Sequence, residues 1–291
     1  MEKIPLSAVL ITQNAAHSLT ACLASVAFCD EILVVDSGSA DDTVAIAQSC
    51  GARVIQTHWR GFGPQKQFAV EQAAHDWVLC IDADERVSDR LQRSLKETLA
   101  DILAVSPSAT ARRAFSARPP CNAVGSSAPT FYAYRFARCN RFMGRYLRHG
   151  EGYPDWSLRC FNRHHAQWSA DAVHEKVCFT GSAKTRVGTL AGDLLHDSAE
   201  SLENYLDKQN RYSTLAASAA LAQGKHANAA HLLLSPLVRF IKFYFFRLGF
   251  LDGLPGLAHI LIGCGTSFAK YAKMAALQRQ AANPTPPSDA L

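Results

Sequence analysis

Trp77-Val78-Leu79-Cys80-Ile81-Asp82-Ala83-Asp84-Glu85 is an apolar run that ends abruptly in two carboxylates one residue apart. An uninterrupted apolar run of this length reads as a buried strand, which places the carboxylates at the edge of a sheet. Side chains alternate along an extended chain, so Asp82 and Asp84 are expected to project to one side and to share a single cation. Mg2+ or Mn2+ takes carboxylate oxygens and completes its shell with water and phosphate oxygens. Alone, the D-x-D spacing is a weak signal, and a solvated acidic turn is the simpler reading; the neighbours decide between them.

Upstream, residues 7–12, 31–35 and 53–55 read as strands, and residues 18–27, 42–50 and 64–74 as the helices between them, the second stopped by Gly51. Strands joined by crossover helices give an α/β fold, a mostly parallel sheet flanked by helices. Such sheets bind ligands at the carboxyl ends of their strands, where both Asp36 and Asp82 fall. Residues 105–130, rich in Ser, Ala, Pro and Arg, carry no period and read as a loop or hinge. Short strand-like pieces follow at 131–135, 159–161 and 177–179. From 201 to 223, Leu202, Tyr205, Leu206, Tyr212 and Leu215 recur at helical spacing.

The composition, 48% hydrophobic and 19% charged over 291 residues, is that of a globular chain with a sizeable core. Nine cysteines with no C-x-x-C pair suit reduced thiols in a cytoplasmic compartment, not a disulfide framework or a zinc site. The N-terminus lacks the pattern of an export signal. Between 239 and 279, Arg239, Lys242, Arg247, Lys270, Lys273 and Arg279 face only Asp252, which accounts for the chain's net charge of +5. Within 236–250 the aromatic residues are contiguous with Leu and Ile, which favours a membrane surface and argues against nucleic acid. Arg239, Lys242, Arg247, Asp252, Pro255 and His259 interrupt any clean span, so the expectation is an in-plane anchor on anionic lipid, set against a helix packed on the catalytic domain.

Three features belong together: Val35-Asp36-Ser37-Gly38-Ser39-Ala40-Asp41-Asp42-Thr43, the helix start Gly63-Pro64-Gln65-Lys66-Gln67, and Asp82-Ala83-Asp84. Their order and spacing resemble the inverting family-2 glycosyltransferases of the GT-A (Rossmann-like) fold, whereas the common phosphate-loop and dinucleotide glycine patterns are absent. Asn140 to Arg145, Arg148-His149-Gly150, Tyr153-Pro154-Asp155-Trp156, Arg159, Val173-His174-Glu175 and Gly249 to Gly253 look like the lipopolysaccharide core β-glucosyltransferase branch. The resemblance implies a GT-A catalytic domain over 1–200, with a nucleotide-sugar half at 1–100 and an acceptor half at 131–200. A helical membrane-associating region at 201–280 and a disordered tail at 281–291 would follow.

By position, the resemblance implies that Thr12, Asn14, Asp36, Ser37, Lys66 and Asp82 hold a UDP-sugar donor. Asp84 would bind a divalent metal, Mg2+ or Mn2+, that neutralises charge on the departing diphosphate. A helix start and an ammonium at Lys66 suit that diphosphate. Asp155 is the candidate base for the acceptor hydroxyl, with Glu151 the alternative, and displacement by one base gives a β-linked hexose, glucose being the expected sugar. His174 is a candidate metal or diphosphate contact, and Glu175 either holds its ring or binds acceptor. His196, between leucines and Asp197, reads as a satisfied core residue. Arg135, Arg138, Arg141, Arg145, Arg148, Arg159 and Arg163 meet only Glu151 and Asp155. Guanidinium forks bind carboxylate and phosphate, so Arg141, Arg145 and Arg148 suggest an anionic lipid-linked oligosaccharide acceptor at the cytoplasmic face of the inner membrane, although an ordinary solvated face would look the same. Two other readings stay open: transfer to polyprenyl phosphate or another surface polysaccharide, and a non-catalytic nucleotide-sugar-binding protein.

Overall fold

The computed structural model describes residues 3–105, 131–171, 175–180, 187–197 and 201–282. The loop expected from 105 onward, His174 and the tail beyond 282 therefore lie outside the described residues. The chain divides into two compact units, residues 1–138 with 156–197 and residues 139–155 with 198–291. Residues 139–155 thus group with the C-terminal helices, whereas the sequence placed them in the acceptor half of the catalytic domain.

In the first unit, strands β1 (Ile4–Thr12), β2 (Cys29–Asp36), β3 (Arg53–Gln56) and β4 (Trp77–Cys80) alternate with helices α1 (Ala16–Ser25), α2 (Thr43–Ser49) and α3 (Phe62–Glu71). Then come β5 (Glu85–Val87), α4 (Asp89–Val105), β6 (Ala133–Phe142), whose last residues fall in the second unit together with β7 (Arg145–Tyr146), and then β8 (Asp155–Asn162), β9 (Ala166–Trp168), β10 (Val177–Phe179) and β11 (Val187–His196). The main sheet runs β3-β2-β1-β4-β8-β6-β11-β5, with β7 beside β6. Its first four strands are parallel, β8 joins β4 antiparallel, and β5 pairs antiparallel with β11. The result is a mixed sheet whose parallel part is the one legible from the helix-strand alternation.

The apolar runs explain why these strands are central. Along β4, Trp77 and Leu79 face one core with α1 and α4, while Val78 and Cys80 face a second core with α3 and the β9–β10 hairpin. β1 splits in the same way, Leu6, Ala8 and Leu10 to the first core and Val9 to the second. Strands buried on both faces need apolar residues at every position, which is why these runs do not alternate with polar ones. Full burial of a side chain such as Leu10 or Leu79 contributes about 1.5–3 kcal/mol. Helix α4, to which the sequence reading gave no element, presents the fully buried Leu91, Leu95 and Leu99 at four-residue spacing.

The second unit holds α5 (Leu202–Ala222), α6 (Ala229–Ile241), a π-helical turn over Lys242–Phe246, a short 3-10 turn over Gly249–Asp252 and the long α7 (Gly253–Ala282). Ser201 caps α5 through the Asn204 N–H, and Asn228 caps α6 through the His231 N–H. Helix α6 buries no residue, and its Leu233, Leu234, Leu237 and Val238 are exposed, as are Phe245 and Phe246 beyond it.

Candidate active site

The parallel strands β1, β2 and β4 end at Thr12, Asp36 and Cys80, and the loops leaving those ends carry the candidate donor residues. Asp36 is fully buried and organises its loop. One carboxylate oxygen accepts from Thr12 Oγ1 at 2.9 Å and Ser39 Oγ at 2.5 Å, the other from the backbone N–H groups of Gly38 and Ser39 at 3.0 and 2.9 Å. Asn14 adopts a left-handed conformation (φ 52°), which Asn tolerates better than most residues. Its amide oxygen accepts from the Ala40 N–H at 2.8 Å, stitching the loop after β1 to the loop after β2. Ser37 Oγ in turn accepts from the buried Gln65 side chain at 3.0 Å.

The D-x-D segment is where the structure departs from the extended-strand expectation. β4 stops at Cys80, and Asp82 to Asp84 form a turn into β5, so the two carboxylates do not share a side of one strand. They have different partners. Asp82 sits between two cations, 3.1 Å from Lys66 Nζ and 2.8 Å from Arg159 Nη2. Asp84 Oδ2 lies 3.2 Å from His196 Nε2 at the end of β11. His196, read from the sequence as a satisfied core residue, has Asp84 as a partner at the end of its strand.

Around Asp82 the charges are dense. Lys66 Nζ also meets Glu175 Oε1 at 2.8 Å, and both Lys66 and Arg159 lie over the Trp168 ring. Arg159 reaches Glu85 at 3.4 Å, with Arg138 at 3.7 Å from the same oxygen, and Glu85 Oε2 accepts the Asp82 N–H at 2.9 Å. Burial pushes the Asp82 carboxyl upward, but Arg159 and Lys66 outweigh it and hold Asp82 well below the ordinary carboxylate range. Glu85, completely buried, is raised by burial, with the Asp82 charge adding to the rise against Arg159. Burial acts to release the Arg159 proton, yet Asp82 and Glu85 hold it more firmly than in water. Arg159 Nη1 is buried without a hydrogen-bond partner among the described residues.

Helix α3 does not offer a bare amino end. Gly63 donates its N–H to the Asp171 carbonyl at 3.2 Å, and a Cβ at this position would collide with the Ser169 carbonyl oxygen. Only glycine permits so close an approach of the 169–171 backbone. The diphosphate contact expected from this helix start thus rests on Lys66 more than on free N–H groups.

Within the second unit, residues 139–155 carry the candidate acceptor and base residues. Arg141, Arg145 and Arg148 are exposed, and Arg141 lies over the Tyr146 ring. Glu151 is engaged on both oxygens by the Arg239 guanidinium. Of the two carboxylates left open by the sequence, Glu151 is held in this ion pair, and Asp155 is half-buried at the start of β8. Sequence reading gave no role to Glu85, Gln65 or Trp168, placed Arg159 among the acceptor-side arginines and took His196 as a satisfied core residue. Gln65 and Arg159 lie within the family-like motifs and Glu85 adjoins Asp84, whereas Trp168 left no local signal.

Residues 7–141 match the family described as Glycosyl transferase family 2. The chain belongs to that family and has its GT-A-like α/β architecture. Its likeness extends well beyond the matched segment. The lipopolysaccharide core biosynthesis glycosyltransferase LpsC of Rhizobium meliloti is 33% identical over 99% of this chain and 97% of its own length. An uncharacterized glycosyltransferase of Rickettsia felis is 30% identical over 94% of this chain and 90% of its own. Glucosyl-3-phosphoglycerate synthase from Mycobacterium tuberculosis, crystallised with Mn2+, uridine diphosphate and glucosyl-3-phosphoglycerate, matches only 28% of this chain and 33% of its own. Identity there is 29% and the TM-score 0.26, too partial a match to carry an argument.

Proposed function

We propose that this glycosyltransferase is an inverting, metal-dependent hexosyltransferase that moves glucose from UDP-glucose to a lipopolysaccharide core acceptor. The observation that carries the donor half is the gathering, at the ends of β1, β2 and β4, of the Asp36 loop, the Lys66–Asp82–Arg159 ion network and the Asp84–His196 pair. Full-length likeness to LpsC supports the acceptor half. Thr12, Asn14, Asp36 and Ser37 form the cradle for the nucleoside, Asp82 faces its ribose, and Lys66 meets the diphosphate.

Asp84 and His196 are the residues that would hold the divalent cation. Among the described residues no third His, Cys, Asp or Glu joins them, and His174, the other candidate ligand, lies outside the described residues. When bound, the metal supplies Lewis-acid stabilisation of the leaving diphosphate. The chain's own residues do the rest. Lys66 is buried and held by Asp82 and Glu175, and its ammonium is the cation that meets phosphate charge as the donor enters. An Asp155 carboxylate oxygen takes the proton of the acceptor hydroxyl as that oxygen attacks the anomeric carbon. The bond from that carbon to the diphosphate breaks with its electron pair leaving on the diphosphate oxygen, and the configuration inverts. The test is transfer of labelled glucose from UDP-glucose to core-truncated lipopolysaccharide. Excess chelator is expected to abolish transfer, and Mg2+ or Mn2+ to restore it; transfer that persists in chelator would remove the metal role of Asp84 and His196.

The second unit supports a peripheral position on the cytoplasmic face of the inner membrane. The stretch Ala229–Phe246 is, by length and composition, apolar enough to cross a membrane, with a mean hydropathy of 1.3. Pro236 lies inside α6, and Arg239 and Lys242 fall within the stretch; these favour an in-plane helix with Phe245 and Phe246 as its apolar edge. Sedimentation with phosphatidylglycerol vesicles should capture the protein, and Phe245→Ser with Phe246→Ser should weaken capture at least about tenfold, the size expected for losing two buried aromatics. Equal capture of both forms would exclude this surface.

A further inference from the structure

Residues 145–153 are fastened to residues 239–252 at a series of separate points. Asp252, 1% exposed, is the centre of them: Oδ2 accepts the backbone N–H groups of Arg148 and His149 at 2.9 and 2.8 Å, and Oδ1 lies 3.2 Å from His149 Nδ1. Arg145 Nε is 3.9 Å from the same Oδ1, and its Nη2 donates to the Leu251 carbonyl at 3.0 Å. Beside this, Gly150 donates its N–H to the Arg247 carbonyl at 2.8 Å, and Arg247 Nη2 donates to the Tyr153 carbonyl at 2.7 Å. A carboxylate buried this deeply is retained only where it is fully hydrogen-bonded, and here its partners belong almost entirely to one short segment.

That segment carries the exposed guanidiniums of Arg145 and Arg148. Asp252 fixes Arg148 through its backbone and sets the direction in which the Arg145 fork points. We propose that Asp252 is the positioning residue of an acceptor-presenting segment: it pre-orders Arg145 and Arg148 for the phosphate or carboxylate groups of an anionic glycolipid. Acceptor affinity is thereby set from the same unit that carries the exposed apolar helix. Pre-ordering matters because two long, rotamer-rich side chains otherwise lose their freedom when the acceptor binds. The inference rests on the reading of these arginines as acceptor ligands.

The test compares the full-length enzyme with Asp252→Asn and with Arg148→Gln, an exposed substitution at a residue that Asp252 holds through its backbone N–H, so that the fastening stays intact. Steady-state transfer from UDP-glucose is measured to core-truncated lipopolysaccharide and, separately, to polyprenyl phosphate. Both variants are expected to raise the acceptor KM about tenfold or more while the UDP-glucose KM stays within about twofold, and the double variant to add little to either single one. Amide hydrogen exchange should quicken at Arg148 and His149 in Asp252→Asn, while the strands from 4 to 36 keep their protection. A merely structural role predicts otherwise: donor and acceptor KM rising together, or quickened exchange with an unchanged acceptor KM, would overturn the proposal. A selective acceptor effect seen only with polyprenyl phosphate would uphold Asp252 and overturn the lipopolysaccharide reading. Transfer to neither probe by the unaltered enzyme would overturn both.

Discussion

Asp155→Asn is expected to lower kcat by about 10²–10⁴, the range associated with loss of a positioned general base, with the KM for UDP-glucose essentially unchanged. The amide keeps the size of the side chain at the head of β8, and an unchanged Tm is the check that the fold is kept. What it loses is the capacity to take a proton from the acceptor hydroxyl. UDP binding should survive, because the donor residues belong to the other compact unit. Glu151→Gln is the control. Its carboxylate is occupied by Arg239, so the chemical step should proceed in that variant. A large loss of kcat in Glu151→Gln together with an active Asp155→Asn would reverse the assignment. A protein that only binds nucleotide sugar would show UDP binding in both and turnover in neither.

The second large effect is on stability. Arg159→Met removes a guanidinium that reaches both Asp82 and Glu85 and leaves Glu85, with no exposed surface, facing Arg138 alone at 3.7 Å. Breaking a buried pair by deleting one partner costs about 3–5 kcal/mol. The Asp82 side chain is 31% exposed and keeps Lys66, which moves the expectation toward the lower end, about 3 kcal/mol, or a fall in Tm of roughly 6–12 °C. The pH dependence follows from the sign of the Asp82 shift. Its folded pKa is depressed, so the stability it contributes is present above its unfolded value of about 3.9 and is lost as pH falls through the lower folded value. The gap in Tm between the unaltered protein and Arg159→Met should therefore narrow on acidification below about pH 4. A gap that stayed constant through that window would mean that Arg159 acts through packing on Trp168 and not through Asp82.

How much of this was legible in the sequence depends on how local each signal was. The strands β1, β2 and β4 announced themselves because their central residues, buried on both faces, are apolar, whereas the edge strand β3 showed only Val54 and Ile55 between polar ends; the helices between them are bounded by glycine and by turns. Asp36 and Asp82 were found because they end such runs. The partners that give those residues their character were not, since Arg159 lies 77 residues beyond Asp82 and Glu175 lies 109 beyond Lys66. No periodicity reports a pairing over that distance; it is created when β8 adds antiparallel to β4 and brings Arg159 beside the strand end. The turn at 82–84 was misread for a related reason. Alternation holds only while the chain stays extended, and nothing local to Ile81 says that β4 has already ended. His196 escaped because two leucines before it resemble a core strand, which it is; the ring at the very end of β11 is what reaches Asp84. The C-terminal region gave its basic and aromatic character in composition alone, whereas its hold on residues 145–153 through Asp252 depends on contacts a hundred residues apart.

Transfer of glucose to a lipopolysaccharide core with inversion at the anomeric centre is read from the anomeric configuration of the product. Core-truncated lipopolysaccharide is incubated with the enzyme, the divalent cation and UDP-glucose labelled with 13C at the anomeric carbon, and the oligosaccharide is released and examined by NMR. The account predicts a new β-linked glucose on the core. An α-linked glucose would contradict single displacement at Asp155, and label recovered only outside the core would contradict the acceptor.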